Sequence, residues 1–397
     1  MLKVLVPNNI TAAMLVSTSA SAEPSAYEPD GTLTSGWSAS EPYALLQYVY
    51  YEHRVYQAIV GHQSIATAAV ATVTMTIAAP CVVTYTGHGL YRGAAIVFTT
   101  TGALPTGLSA GVTYYVGATI HTNDFTVSAT IWGADITTTG TQSGTHKVNV
   151  KSTRPDLSLT GSNPFWIDIG PTNKFAIFDT YINTATHHTG TLEVVTVPGR
   201  CNGVAVLDVS GASSIQVAMV NGLDTVFDET QALDNSFISD WYEYFFEPFD
   251  VRTDVLFGPL PPYPSAEITI TIVPDGGGVV SVGAAMYGNT VELGQVQAGA
   301  TAGIVDFSRK ETSEYGVTTL IERGFAKRAS YSLVIDNAQL RRVYSTLAAL
   351  RATPAVWVAS DDYKLTPLTV FGWPKDFSIN VAYATYSTAT LEVEGMS

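Results

Sequence analysis

Short runs of alternating apolar and polar residues, repeated along much of the chain, constrain its fold more than any other feature. Between Ala266 and Ile272, isoleucines alternate with Glu267 and two threonines. Successive side chains of a β-strand point to opposite faces, so this pattern predicts a strand with one buried face. Turn residues separate such runs at roughly 8–12-residue spacings, as in an antiparallel, jelly-roll-like sandwich. Similar runs occur at Leu192–Val197, Val204–Val209, Ile215–Val220 and Val279–Met286.

One segment predicts a helix, from about Ala338 to Leu350. Apolar residues recur in it at steps of three and four, which forms one stripe along a helix: Leu340, Val343, Tyr344, Leu347 and Leu350. We expect Asp336 or Asn337 to cap the start, and Pro354 stops the helix from continuing. The sequence therefore predicts a mainly β, multi-domain protein with one helix near its end.

Composition excludes several classes of function. The 397 residues are 46% hydrophobic but only 13% charged, and the net charge is -15. Nucleic-acid binding relies on Lys and Arg, so we expect no specific binding of DNA or RNA. The two cysteines are too few for a structural zinc site, and we expect no cofactor. No apolar run reaches the ~20 residues of a membrane helix, and Pro7 interrupts the only signal-like segment, so we expect a soluble protein made in a cytoplasm.

The pattern along the chain predicts four parts. Residues 1–65 and 151–184 are rich in aromatic residues and turns, and residues 66–150, rich in Thr, Gly and Ala, interrupt them. Residues 185–300 have the rhythm of a β-sandwich. Residues 301–397 combine strands with the helix and are predicted to form a separate mixed β domain.

The interrupted first part resembles the small chitin- and cellulose-binding modules of bacterial polysaccharide hydrolases. The resemblance lies in Val55-Tyr56-Gln57-Ala58 and in Phe165-Trp166-Ile167-Asp168-Ile169-Gly170, although the usual Gly-Asp step is absent. Exposed aromatic side chains stack on sugars in that family. The resemblance implies candidate glycan-stacking roles for Tyr43, Tyr56 and Trp166. The alternative is that these aromatic side chains fill the core of a very small domain.

The interrupting part resembles a small β-barrel module of phage tail and neck proteins. The matching residues are Gly87-His88-Gly89-Leu90, the run from Ile96 to Leu108, and Gly111-Val112-Thr113-Tyr114-Tyr115-Val116. The resemblance implies a module that decorates a larger assembly. It implies no cysteine chemistry for Cys81.

From Trp166 onward the chain resembles a family of phage tail-tip proteins. The telling segments run from Gly170 to Asp179, Val305 to Thr312, Phe371 to Ile379 and Leu391 to Gly395. Residues 301–397 also resemble the tube-like domain of distal tail proteins, whose subunits form a ring around the tail channel. These resemblances imply a virion protein, synthesised in the host cytoplasm, with tube, hub and fibre proteins as partners. They also imply a homo-oligomer, a trimer or a hexamer, and host cell-surface polysaccharide as a further partner.

Charged residues concentrate between Asp306 and Arg328, in a chain otherwise poor in charge. We interpret them as a candidate subunit interface in which paired charges fix the register of neighbouring copies. An exposed pair of strands is an equally good interpretation. The candidate interface residues are Arg309, Lys310, Glu311, Glu322, Arg323 and Arg328.

Several motifs for catalysis and metal binding are missing from the sequence. It contains no zinc-protease motif, phosphate-binding loop or EF-hand. His187 and His188 are adjacent, so on a strand they would point to opposite faces and could not share a metal ion. An acidic cluster, interpreted as a solvated loop, includes the carboxylates that would serve a glycosidase: Asp224, Asp228, Glu229, Asp234 and Asp240.

Three functions follow, in order of preference. The first is a non-enzymatic structural protein of a phage tail tip or baseplate that displays glycan-binding modules. The second is a dedicated receptor-binding protein, or adhesin. The third is a polysaccharide-degrading enzyme, for which Asp228 and Glu229 would be the first candidates.

Overall fold

The computed structural model of this protein describes residues 1–20, 23, 35–39, 41–65, 68–160, 164–181, 183–234, 241, 245, 251–312, 314–315, 318–359, 368–381 and 383–396. The chain forms two compact units, one from Met1–Glu23 with Asn173–Ser397 and the other from Pro24–Thr172. Strands dominate both, which confirms the predicted mainly β, multi-domain class.

The strands of the first 172 residues are mostly short. Short 3-10 helices lie at Ala12–Met14 and Pro155–Leu157. In chain order the strands are β1 Leu2–Pro7, β2 Leu15–Thr18, β3 Ser35–Gly36, β4 Pro42–Tyr43, β5 Tyr48–Tyr51, β6 Arg54–Ala58, β7 His62–Gln63, β8 Ala69–Met75, β9 Val82–Thr84, β10 Ala95–Thr100, β11 Thr113–Ile120, β12 Asp124–Ser128, β13 His146–Val150 and β14 Trp166–Pro171.

The strands of the remaining residues are longer. A 3-10 helix lies at Ala176–Phe178, and the helix α1 spans Leu340–Ala349. The strands are β15 Thr186–Thr189, β16 Leu192–Thr196, β17 Gly203–Ser210, β18 Ala212–Asn221, β19 Asp224–Ala232, β20 Val255–Phe257, β21 Glu267–Pro274, β22 Val279–Val296, β23 Thr301–Asp306, β24 Arg309–Thr312, β25 Thr318–Ile321, β26 Phe325–Asp336, β27 Ala355–Val358, β28 Thr369–Asn380 and β29 Tyr386–Gly395.

Two modules make up the unit Pro24–Thr172. Strands β8 to β13 close into a barrel in the order β10-β11-β12-β9-β8-β13, with Phe98 and Phe125 fully buried inside it. The other module, called the aromatic module here, contains the sheet β14-β6-β5-β3 and the pair β4-β7. Because β6 precedes the barrel and its neighbour β14 follows it, the barrel is inserted between two paired strands.

A β-sandwich forms the middle of the other unit. One sheet has the order β19-β18-β21-β16-β2, and it packs against β20, β17, β15 and the first half of β22. In β21 the side chains of Ile268, Ile270 and Ile272 are fully buried, whereas Glu267 is exposed. The alternation read from the sequence is therefore confirmed.

Six strands form a second closed barrel, called the C-terminal barrel here. The order β22-β1-β27-β28-β29-β26 is closed by pairing of Gln295 and Val296 in β22 with Val334 and Leu333 in β26. Its core holds the fully buried Trp357, whose indole N–H donates to the Gly372 carbonyl at 2.9 Å. Helix α1 packs against this core.

Helix α1 differs from its prediction in two details. It begins at Leu340, and its N-cap, Gln339, makes no side-chain capping bond; the Asp336 carboxylate instead accepts from the Ala338 N–H, outside the helix. Tyr344 is exposed, because it lies at the edge of the stripe rather than over the barrel. The buried stripe is Val343, Leu347 and Leu350.

The grouping into two units differs from the predicted four-part division at both ends of the aromatic module. Residues 1–23 belong with 173–397, because β1 pairs with β22 and β27 while β2 pairs with β16. Asn173 belongs there too, since its side-chain amide exchanges hydrogen bonds with the backbone of His187 at 2.8 and 3.0 Å. Strand β22 is shared by the sandwich and the C-terminal barrel.

Three charged residues meet where the sandwich joins the C-terminal barrel. Lys327 forms an ion pair with Asp254, and the Asp254 carboxylate also accepts from the Asp208 N–H at 3.1 Å. Asp208 has a positive φ of 51°. Burial, and secondarily the charge of Asp254, raise the pKa of the Asp208 carboxyl, so folding disfavours its ionised form.

We expect Asp208→Asn to raise the melting temperature at pH 7. A raised carboxyl pKa contributes stability only at low pH, and that stability is lost as the pH rises through the folded-state pKa. The gain from Asp208→Asn should therefore shrink as the pH falls towards the ordinary aspartate value of 3.8. Thermal unfolding measured at several pH values tests this, with Asp224→Asn, an exposed aspartate of the same unit, as the matched control. An equal gain at every pH would contradict the electrostatic explanation.

Candidate functional site

The three aromatic residues predicted to stack on sugars lie in a buried cluster. Tyr43, Tyr56 and Trp166 are 5%, 3% and 1% exposed. Trp166 donates its indole N–H to the Thr153 carbonyl at 2.7 Å and packs edge-on against Tyr43, with 5.2 Å between the ring centroids. Burial raises the pKa of Tyr56 to about 12. The prediction of exposed stacking surfaces at these positions is wrong, because so small a module buries its large aromatic side chains to make a core.

The predicted interface residues, by contrast, lie on or beside an exposed hairpin. Strands β24 and β25 pair from Arg309 opposite Ile321 to Thr312 opposite Thr318. We call residues 307–324 the arm. It continues the pairing of β23 with β26, which ends at Asp306 opposite Phe325. Every described residue of β24 and β25 is exposed.

Large apolar side chains on and next to the arm were missed by reasoning from charge. Leu320 is 75% exposed and Tyr315 is 93% exposed. Contiguous exposed apolar surface marks an interaction site more often than scattered single residues do. The sequence signal available for this surface was the pair of apolar residues Leu320 and Ile321 at the end of the charged segment. The other exposed apolar residues here are Ile304, Phe307, Ile321 and Phe325.

The six charged residues differ in how they are already paired. Arg309 and Glu311 form an ion pair within the arm at 3.1 Å. Arg328 lies on β26 outside the arm and pairs with Glu392 of the neighbouring strand. The remaining three have no ion pair with any residue that the structure describes: Lys310, Glu322 and Arg323.

The acidic cluster has a different conformation from the one predicted. Asp224, Asp228 and Glu229 lie on strand β19 and not in a loop, because β19 pairs along its length with β18. Asp228 and Glu229 each accept a hydrogen bond from a glutamine side chain, at 2.8 and 2.7 Å. As neighbours on a strand they point to opposite faces, so they do not form a catalytic pair. Asp234 makes a β-bridge, and Asp240 lies outside the described residues.

The cysteines and adjacent histidines form no reactive centre in the geometry described. Cys81 and Cys201 are buried free thiols, and burial raises the pKa of both, for Cys201 to about 11. A raised pKa disfavours the nucleophilic thiolate. His187 and His188 lie on β15. Over the described residues, no three His, Cys, Asp or Glu side chains come together in a way that suits a metal ion.

Within the described part of the chain, no helix combines the length and apolar character needed to cross a membrane.

Comparison with known proteins identifies no family. No family model matches the sequence, and no curated protein gives a significant match. Among solved structures, the phage phi92 endosialidase aligns with 11% sequence identity and a TM-score of 0.17. The alignment covers 89% of this chain and 58% of the endosialidase chain. A likeness at this TM-score carries no argument about fold or function, and membership of a phage tail-tip family stays a prediction.

Proposed function

We propose that this protein is a structural component of a bacteriophage tail tip or baseplate, and that its copies associate through the arm. The arm is the observation that carries this proposal. It is a two-stranded hairpin whose described residues are nearly all exposed, and it carries large apolar side chains.

The physics of hairpins favours a partner for the arm. A two-stranded hairpin without further contacts is marginally stable in water. Burying Leu320 and Tyr315 against another surface would contribute roughly 1.5–3 kcal/mol for each fully buried large side chain. A partner surface that buries these side chains would therefore stabilise the arm.

A second copy of the chain suits the charges of the arm and of Asp306, which precedes it. Both signs occur within this short stretch, so two copies can form ion pairs in an antiparallel or a staggered arrangement. A strongly basic or strongly acidic partner would leave half of these charges facing their own sign. The basic residues are Arg309, Lys310 and Arg323, and the acidic residues are Asp306, Glu311, Glu314 and Glu322.

The free edge of β23 supports the same proposal. Strand β23 ends the path of the large sheet and pairs only with β26 among the described residues. An edge strand presents unpaired N–H and C=O groups that can pair with a strand of another chain. The apolar arm and this edge together give a neighbouring copy both side-chain and backbone contacts.

The place in the virion comes from the sequence resemblances. They imply that residues 301–397 lie around the tail channel, with tube, hub and fibre proteins as further partners, and a trimer or a hexamer would fit the tail symmetry. The net charge of -15 suits a channel, since an acidic wall does not bind passing DNA. In this proposal the protein is not an enzyme, and the unit Pro24–Thr172 serves attachment to the host surface.

Charge reversal at Arg323 tests the interface without touching the core. We expect Arg323→Glu to weaken self-association by about tenfold. The change places a second carboxylate beside that of Glu322 and removes a cation that has no ion pair among the described residues. Sedimentation velocity over a range of concentrations measures this. Arg341→Glu, on the exposed face of α1, makes the same change of charge and is the matched control. Arg328 is less suitable, because its reversal also breaks the pair with Glu392.

Two results would contradict the proposed interface: a parent chain that is monomeric at every concentration, and Arg323→Glu associating as strongly as the parent.

A further inference from the structure

A groove of about 770 Å³ lies between the aromatic module and the inserted barrel, within the unit Pro24–Thr172. This volume is in the range of small-molecule sites. The aromatic module contributes Tyr43 and His62 to its lining, and the barrel contributes Tyr91, Arg92 and Trp132. None of the three barrel residues is a predicted site residue.

Trp132 is held in a strained but fixed position. Its φ is +61°, a left-handed conformation that a bulky side chain rarely adopts. Its indole N–H donates to the Gly61 carbonyl of the aromatic module at 3.2 Å. Gly93 passes so close that an added Cβ would lie 3.3 Å from the indole. These contacts fix the side chain, yet 49% of it stays exposed, and strain of this kind clusters at functional sites.

Arg92 adds a cation beside the Trp132 ring. Its guanidinium carbon lies 5.5 Å from the centroid of the Trp132 ring, within the range of a cation–π contact. No ion pair joins Arg92 to an acidic side chain in the residues that the structure describes. Its N–H groups are therefore available to hydroxyl or carboxylate oxygens of a ligand.

His62 is one of the lining residues, and one of its ring nitrogens is an unsatisfied acceptor buried beneath the groove surface. Its Nδ1 lies 2.7 Å from the Val60 carbonyl, which fixes Nδ1 as the protonated nitrogen. The Nε2 atom is buried and has no hydrogen-bond partner among the described residues. Burial lowers the pKa of His62, so the imidazole stays neutral and Nε2 is an acceptor. Buried polar atoms without a partner are rare, and each calls for an explanation.

We propose that this groove binds a pyranose unit of a surface glycan, with one face of the sugar on Trp132 and its oxygen substituents towards Arg92. The C–H groups on the face of a pyranose are attracted to the partly negative face of an aromatic ring. Arg92 is the only Lys or Arg among the lining residues that the structure describes, so a polyphosphate is a poorer match.

This inference rests on the attachment role within the proposed function, but it does not depend on assembly through the arm. Repetition of a weak site over several copies would raise avidity by a factor of about 100 to 10,000. The site itself needs only one copy of the chain, whereas this gain in avidity needs the assembled copies.

The test is binding of the full chain to an array of neutral and carboxylated pyranose oligosaccharides, with the affinities of any hits measured by titration. We expect at least one hit, with Trp132→Ala weakening its binding by about tenfold or more. Trp373→Ala, which removes a 37% exposed tryptophan of the other unit, should leave binding unchanged. Circular dichroism checks that both variants are folded.

Arg92→Ala separates the two kinds of glycan. A carboxylated ligand should lose most of its affinity in this variant, whereas a neutral ligand should lose less than it does with Trp132→Ala. The inference is overturned if no pyranose oligosaccharide binds, or if Trp132→Ala binds the hits as well as the parent. Neither result would change the self-association through the arm that sedimentation velocity measures. Failure of the glycan site is therefore distinguishable from failure of the proposed assembly.

Discussion

Replacing Trp166 with alanine is expected to destabilise the unit Pro24–Thr172 by about 3–5 kcal/mol, the usual cost of truncating a buried tryptophan. The side chain is almost fully buried among Tyr43, His62 and Phe165. Its loss leaves a cavity and also removes the donor to the Thr153 carbonyl. Denaturant unfolding followed by circular dichroism measures the change.

A neighbouring residue on the same strand provides the control for Trp166. Ile167 is exposed, so Ile167→Ala should change the free energy of unfolding by no more than about 0.5 kcal/mol. If Trp166→Ala cost as little as Ile167→Ala, the buried cluster would be contradicted and the exposed stacking role would return. The comparison thus decides between the two interpretations that the sequence left open for this tryptophan.

Replacing residues 309–321 with Asn-Gly is expected to abolish self-association while leaving a folded monomer. Asn-Gly closes a tight hairpin between Ser308 and Glu322. All described residues of the removed stretch are exposed, so none of them is taken from the core. The hydrogen bond from the Phe307 N–H to the Gly324 carbonyl, at 3.2 Å, can persist at the new turn. Light scattering coupled to size-exclusion chromatography gives the mass, and thermal unfolding checks the fold.

Single substitutions separate the apolar contribution of the arm from general loss of surface hydrophobicity. Leu320→Ser should weaken association by about tenfold or more, as expected for an apolar residue central to an interface. Leu223→Ser provides the match, because Leu223 is a fully exposed leucine at the turn between β18 and β19. Equal effects of the two serine variants, or an oligomer that survives removal of residues 309–321, would contradict the arm as the interface.

Local patterns predicted the strands and the helix well, because alternation and stripes are set by nearest neighbours. The isoleucines of β21 and the stripe of α1 are examples. The partners of β1 were not predictable in this way. This strand pairs with residues near 290 and near 357, and nothing in its six residues records which distant strands will meet it.

The candidate sites show the same limit. The concentration of charged residues located the arm, since such a cluster stands out in a chain with so few charged residues. The burial of Tyr56 and Trp166 was not visible, because it depends on how the aromatic module packs on itself and on the inserted barrel. Trp132 was overlooked because its role depends on Gly61 and Gly93, which approach it only in the folded unit.

Cryo-electron microscopy of purified phage particles tests the proposed function most directly. We expect density for the chain at the distal end of the tail, in several symmetry-related copies, with residues 301–397 nearest the channel and neighbouring copies joined through residues 307–324. Absence of the chain from the particles would contradict the proposal, and so would copies in the tail that make no contact through the arm.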